Sequence, residues 1–448
     1  MTLVLLIINF GLIFNTWYIS KRIYSKSFNA LNIFTIWWLF SLTLAQINYA
    51  GFYPLSDTLQ LLFYMPVVGY IVGTIIASSI WKKRKVALEN KSKIKITKSI
   101  FFISVIVLLF TVGYAIFIYL LSKKYGFDLS EIRKITFRGD SYGISPIFSK
   151  LVAIAWTVYG IIFFLLFLGL YQYLINKDIK GRYIILINTI SLVSMGVAMA
   201  GRTSILYIIY IIIILFFIYY PHRRQFFSLK EIAFFRKRLK YIIFLALILI
   251  IVITGYRDSN GNSVWGTVWF EFNKYYVGPF VAFDQMIQTK IIVELQNDIT
   301  RFGMSFLGLD TVVVSGFMRF IFGSNVHSLL SETSSIMNSG VLIKRGVIMN
   351  AHYTSVLSLF LDGGALYIFI FFFIFGIFSH YFQIKFYQNP SYLNFIGLVM
   401  IYLFVINSTS LNLFAEPKIF IFILMSIIYN WSQKKNKKKN DLSSYHKP

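Results

Sequence analysis

Hydrophobic positions along this chain gather into eleven long runs, at 2–20, 31–48, 58–80, 99–121, 151–175, 183–200, 204–220, 241–256, 353–378, 392–411 and 417–431. A helix of roughly 17–25 apolar residues crosses a hydrocarbon core of about 30 Å. Each run therefore predicts a transmembrane helix, with 241–256 on the short side. Two polar stretches between runs are long, 122–150 and 257–352. The other links on the same, outer side are tight, such as the turn Gly201-Arg202-Thr203. The predicted fold class is all-α: a polytopic membrane protein of about eleven spans, forming one integral membrane domain over 1–448. A large helical loop at 257–352 joins spans eight and nine, and 432–448 is a basic tail.

The 257–352 loop is itself aromatic, with Trp265, Trp269, Phe270, Phe272, Tyr275, Tyr276, Phe280 and Phe283. It also holds an apolar run at 302–322. That run carries Asp310, Ser315 and Arg319, which are costly at mid-membrane. A further span there would also invert the side of everything after it. The run is therefore expected to lie in the interface or to dip into the protein.

Composition agrees with an apolar solvent. Hydrophobic residues are 57% and charged residues 13% of the chain, where a soluble domain has about 25% charged. The net charge of +26 suggests nucleic acid until the charges are placed. With the N-terminus outside, cytoplasmic segments carry 28 Lys+Arg against 4 Asp+Glu, and outer segments 15 against 13. This is the positive-inside bias of a cytoplasmic membrane protein. The basic runs flank spans, as in Trp81-Lys82-Lys83-Arg84-Lys85 and Lys437-Lys438-Lys439, and carry no stacking aromatics of their own. They fit a lipid bilayer and no nucleic acid. Lys21 and Arg22 follow the first run, which reads as a retained anchor.

The absence of cysteine excludes disulfides and thiolate metal sites. No metal-ligand spacing, Gly-rich phosphate loop or Walker pattern occurs, so neither a zinc centre nor nucleotide-driven chemistry is expected. What remains on the outer face is a set of arginines that the charge bias should deplete. Arg202 stands in the three-residue turn between spans, and Arg257 follows a span. Arg301, Arg319 and Arg345 lie in the large loop. Guanidinium forks pair with two oxygens of a diphosphate and keep their charge; the plainer reading of each is a snorkelling interfacial side chain. His352, in Asn350-Ala351-His352-Tyr353-Thr354, could serve as a general base. Asp362, about 13 Å further into the same span at 1.5 Å per residue, is an ionisable group at depth. It reads as functional or as a hydrogen bond to a neighbouring helix. Gly363-Gly364 would let another helix approach closely.

These stretches carry a family resemblance. Ala200-Gly201-Arg202-Thr203 stands between two spans, and Tyr275-Tyr276-Val277-Gly278-Pro279-Phe280 opens the large loop. Phe302-Gly303-Met304-Ser305-Phe306 follows, then Asn350-Ala351-His352-Tyr353-Thr354 and Asp362-Gly363-Gly364. In this order, over residues 180–380, the chain resembles the Wzy-type polymerases of O-antigen and capsule repeat units. Gly363 replaces the family's usual Phe. His352 is similar to the histidine that starts the equivalent segment in O-antigen ligases.

The resemblance implies a GT-C-like glycosyltransferase of the bacterial inner membrane, with its site on the periplasmic or external face and no cofactor. It would transfer a glycan from an undecaprenyl-diphosphate donor to the non-reducing end of another lipid-linked repeat unit. A chain-length regulator and a flippase are the protein partners it implies. In that scheme Arg202 and Arg257 contact the diphosphate and His352 assists acceptor deprotonation. Arg301, Arg345, Arg319, Tyr353 and Asp362 serve substrate binding. A ligase differs only in acceptor. A lipid-linked oligosaccharide flippase is the alternative of another class; transporters usually show internal repeats and broken midplane helices, whereas this chain shows no repeat and concentrates its polar groups in one outer loop.

Overall fold

A computed structural model describes residues 2–25, 28–81, 96–127, 131, 146–199, 203–219, 241, 244, 248, 264–289, 303–310, 312–313, 340–349 and 354–445. Its architecture is helical. In chain order the helices are α1 (Thr2–Tyr24), α2 (Ala30–Gln46), α3 (Asp57–Gln60), α4 (Met65–Ile80), α5 (Lys98–Tyr125), α6 (Pro146–Leu174), α7 (Lys180–Ala198) and α8 (Thr203–Tyr219). Then come α9 (Val264–Tyr276), α10 (Gly278–Gln288), α11 (Leu307–Asp310), α12 (Ser355–Gln388), α13 (Tyr392–Asn407) and α14 (Pro417–Tyr445). Among the described residues six helices are long and apolar enough to cross a membrane: Leu3–Tyr24, Leu61–Ile80, Lys98–Tyr125, Ile154–Leu174, Lys180–Ala198 and Ser355–Gln388. Three shorter apolar helices, Ala30–Gln46, Leu206–Tyr219 and Tyr392–Asn407, lie among them. Nearly all of the predicted 241–256 span is outside the described residues.

Local chemistry explains several ends. The side chain of Asn29 accepts the N–H of Asn32 at 3.0 Å to start α2, and Ser391 does the same for Asn394 at the start of α13. Both supply a bond that a helix's first turn lacks. The predicted run 58–80 is not one continuous helix. A 3-10 turn at Leu61–Tyr64 separates α3 from α4, because Pro66 has no N–H to donate and crowds the carbonyl four residues back. At the other extreme α14 runs on to Tyr445, so the predicted basic tail begins within a helix.

Packing rests on close backbone approach and on aromatic rings. A Cβ added at Gly69 would meet Phe369 O at 2.7 Å, one at Gly73 would strike Phe373 O, and one at Gly376 would meet Tyr70 O at 2.5 Å. Small residues four apart thus let α4 and α12 touch along their backbones. In an apolar solvent this is how helices gain dispersion energy from each other. Tyr70 OH and Ser379 Oγ, 2.5 Å apart, fasten the same contact. Around it lie Phe34, Trp38, Phe372, Phe375 and Phe404, with the rings of Phe375 and Phe404 4.5 Å apart. Gly363 and Gly364 do not have the role expected of them. Gly364 has nothing near it, and Gly363 would meet only its own Tyr367. The pair instead breaks α12, with Gly364 at φ 67°, a left-handed conformation open to glycine at little cost.

Polar side chains inside the bundle answer one another. Asn9 of α1 donates to Thr43 Oγ1 and Gln46 Oε1, both at 2.8 Å, and accepts from Tyr64 OH at 2.7 Å. At the end of the bundle where α1 and α4 finish, His380 Nδ1 lies 3.0 Å from Tyr24 OH and Nε2 3.0 Å from Trp81 O. A carbonyl only accepts, so Nε2 carries the proton and Tyr24 donates to Nδ1. Tyr171 OH bonds Pro390 O and Tyr387 OH bonds Ile218 O at the same end.

Replacing Gly73 with Val tests the backbone contact. Thermal unfolding in detergent should show a loss of about 3 kcal/mol, the upper range for overpacking. Gly113→Ala on α5, where an added Cβ meets nothing within 4 Å, should leave the midpoint unchanged or raise it.

Candidate functional site

The opposite end of the bundle holds Asp362, Arg345 and the described neighbours of Arg202, Arg301, His352 and Tyr353. Its rim begins with α9 and α10. Trp265 is 71% exposed, and Trp269 meets Tyr49 edge-on at 6.0 Å. Further along α9 the rings turn inward: Tyr276 packs on Trp37, midway along α2, at 4.9 Å, and its hydroxyl lies 2.6 Å from that of Tyr210. α10 then carries Phe280 against Trp38 and Phe63, both at 5.0 Å. Most of the described loop aromatics are therefore packing groups, and Trp265, Trp269 and Phe306 are the exposed ones among them. Asp284 of α10 accepts from the Ser56 N–H at 3.2 Å, the Ser56 hydroxyl at 2.5 Å and Gln288 Nε2 at 2.5 Å. Burial pushes its pKa up, and the hydrogen bonds from Ser56 and Gln288 oppose that shift only in part.

A feature the all-helical expectation did not include is a β-hairpin. Strands β1 (Val341–Lys344) and β2 (Val347–Met349) pair antiparallel, with Leu342 opposite Ile348. The segment alternates, as a half-buried strand does: Val341, Ile343 and Met349 are buried, while Leu342 and Ile348 face out. Gly346, at φ 75°, makes the turn. The signal was legible in Val341-Leu342-Ile343-Lys344-Arg345-Gly346-Val347-Ile348-Met349. Tyr53 N–H donates to Ile343 O at 2.7 Å and ties the hairpin to the segment before α3. Arg345 stands exposed at its tip.

Asp362 is buried, at 5% exposure, in the last turn of α12 before its break. Its Oδ1 accepts the N–H groups of Gly303 and Met304 at 3.1 and 2.9 Å. Its Oδ2 accepts the N–H of Ser305 at 2.7 Å and the Ser305 hydroxyl. Both oxygens are thus committed to the loop, and the geometry makes Asp362 a latch. The bonds are with the 303–305 segment rather than with a spanning helix. Asn412 Nδ2 extends the latch, reaching Ser305 O at 2.8 Å and Ser358 Oγ at 2.9 Å. The start of the 302–322 run accordingly lies against the protein, with Met304 and Ser305 buried.

One group escaped the sequence reading. Lys418, in the first turn of α14, has a side chain only 3% exposed, and its Nζ lies 2.7 Å from Glu416 Oε2. The same ammonium faces the rings of Trp156 at 5.4 Å, Tyr159 at 5.1 Å and Tyr207 at 5.0 Å. Each such contact is worth about 2 kcal/mol when desolvated. Tyr159 OH lies 2.8 Å from Ser204 Oγ, two residues after Arg202. The available signal was Glu416-Pro417-Lys418 at the mouth of a span, two opposite charges where an isolated one would be costly.

Of the predicted residues, Arg345 and Asp362 are placed. Arg202, Arg257, Arg301, Arg319, His352 and Tyr353 lie outside the described residues. The described neighbours of Arg202 and of His352 and Tyr353 lie at this end: Ser204 on Tyr159, and Ser355, whose N–H donates to Ser408 O at 2.9 Å. Among the described residues no group of three His, Asp or Glu converges as metal ligands would.

Asp362→Ala would orphan three backbone N–H groups. It should lower stability by about 3 kcal/mol or more, at roughly 1–3 kcal/mol per unanswered group, and speed proteolytic cleavage next to Gly303. For Asp284 the sign follows from its raised folded pKa. Its contribution is fullest below the unfolded value of about 3.9 and is lost as pH rises through the folded one. The stability of the parent protein relative to Asp284→Asn should therefore fall as pH rises above about 4, read as the difference in unfolding midpoints.

No family model, characterised protein or solved structure matches the chain.

Proposed function

We infer that this protein is a Wzy-type polymerase of lipid-linked repeat units. In this reading about eleven spans and a GT-C-like arrangement set the latched end on the external face of a bacterial inner membrane. The enzyme moves a glycan from an undecaprenyl-diphosphate carrier to the non-reducing sugar of a second lipid-linked unit. The surface polysaccharide formed is an O-antigen or a capsule. A chain-length regulator and a flippase act beside it.

One observation carries the reading. The 303–305 segment, the start of α12 and the 408–416 connection are held together at one end by Asp362, Asn412 and the Ser355–Ser408 bond. The first two are stretches, or the direct neighbours of stretches, that carry the resemblance, and the 408–416 connection braces them. Rigid support at a membrane surface is what a diphosphate-releasing site needs. The chemistry is electrostatic, and donors fixed in advance stabilise the leaving charge without reorganising.

In the reaction the bond between the anomeric carbon and the phosphate oxygen breaks, and its electron pair leaves with the diphosphate. Arg202 and Arg257 take up that charge, with Arg301, Arg319 and Arg345 assisting as substrate contacts. Tyr353 contributes to substrate binding, and His352 assists deprotonation of the acceptor hydroxyl. The energy is already in the sugar–phosphate bond, so neither nucleotide nor metal enters the scheme. An O-antigen ligase would use the same donor chemistry. A deletion strain separates the two: loss of a ligase leaves polymer on the carrier, whereas loss of a polymerase leaves single units.

Complementation with Arg202→Ala in that strain should reduce long polymer by about a hundredfold or more, the usual cost of removing one transition-state donor. Polymer of normal length and amount would sink the leaving-group role of Arg202.

A further inference from the structure

A hydroxyl attacking an anomeric carbon must lose its proton, and the group that receives it must be both accessible and held in place. Four described carboxylates near the latched end can be compared on that requirement. Asp362 has both oxygens taken by four donors. Asp284 is fully buried on Ser56 and Gln288. Glu271 is paired with Lys274 along α9. Glu416 differs from all three. Its side chain is 28% exposed, one oxygen is fixed by Lys418 at 2.7 Å, and the other has no partner among the described residues.

The setting of Glu416 is rigid on every side. Pro417 follows it. Its backbone N–H donates to Leu413 O, and its carbonyl and Gly308 are so close that a Cβ on Gly308 would meet it at 2.8 Å. An acidic residue just before a helix is commonly a cap, with its carboxylate on first-turn N–H groups. Here the carboxylate goes to the Lys418 ammonium. That ammonium is itself gripped by Trp156, Tyr159 and Tyr207, and Tyr159 bonds Ser204, two residues from Arg202. A buried lysine is costly unless its charge is used. The cage uses it to hold one carboxylate oxygen still and leave the other open.

We propose that Glu416 is the catalytic carboxylate that receives the proton of the acceptor sugar hydroxyl, with His352 keeping only the assisting part given it above, and that Lys418 is its positioning residue. This rests on the glycosyl-transfer reading above. The hydroxyl proton passes to the free Glu416 oxygen, and the hydroxyl oxygen's electron pair forms the new bond to the anomeric carbon. The pair of the broken carbon–oxygen bond departs with the diphosphate. The proton then leaves Glu416 to water. Lys418 keeps its own protons throughout and acts by fixing the carboxylate's orientation.

The test is in vitro elongation of a defined undecaprenyl-diphosphate-linked repeat unit by the full-length protein in detergent. Glu416→Gln keeps the shape and the oxygen facing Lys418. It should lower kcat by about 10²–10⁴-fold, the range for a general base, with KM within about threefold. Glu416→Ala should regain activity on addition of formate, which a packing role would not produce. Lys418→Met should lower kcat without making formate effective. An active wild type with Glu416→Gln at the same rate, or with Glu416→Ala monodisperse and insensitive to formate, overturns this proposal alone. A wild type inactive on the lipid-linked unit overturns the glycosyl-transfer reading and this proposal with it.

Discussion

In an apolar solvent a polar group is answered by the protein or not at all, and an unanswered one costs several kcal/mol. That constraint orders this molecule more than any single contact. Asn9 is met by Thr43, Gln46 and Tyr64, and His380 by Tyr24 and Trp81. Each set bridges helices that would otherwise share only apolar surface. Lipid tails are as apolar as leucine, so burial alone gives no helix a preferred neighbour. The choice of neighbour falls to these polar contacts and to glycines, as where Gly73 and Gly376 bring α4 and α12 together.

The same constraint governs the break in α12. Ending a helix below the surface exposes carbonyls and leaves the incoming loop with free N–H groups. Gly363 and Gly364 supply the backbone angles. Asp362, one position earlier, collects the N–H groups of Gly303, Met304 and Ser305. Break and loop are thus two halves of one arrangement, and Asn412 brings in the connection that leads to α14. The end of the molecule built this way has its loop, its helix break and its connection bonded to one another. This is why chemistry is assigned to it.

Much of the fold was legible in sequence. The long runs at 99–121 and 183–200 correspond to α5 and α7 with ends shifted by a few residues, because the length of an apolar run is set by the membrane and not by its neighbours. The candidate site was legible in part. Asp362 was recognisable as unusual from its depth, but its partners lie 57 to 59 residues earlier, beyond any helical period. The glycines after it were read as a packing surface, and they form a break; composition does not distinguish the two uses. Lys418 was counted as one outer charge among others. Only the convergence of Trp156, Tyr159 and Tyr207 from two other helices makes it a buried one.

By itself, then, the sequence determined the solvent, the helical character and the segments where polar residues are dear. These follow from run lengths and from the need of a backbone in hydrocarbon to bond within its own helix. Tertiary structure decided which polar group answers which: Asp362 the 303–305 segment, Lys418 its carboxylate and three rings, Tyr53 a hairpin strand. Periodicity constrains neighbours along one helix only. Pairings across the bundle come from close packing and from the cost of a polar group left alone.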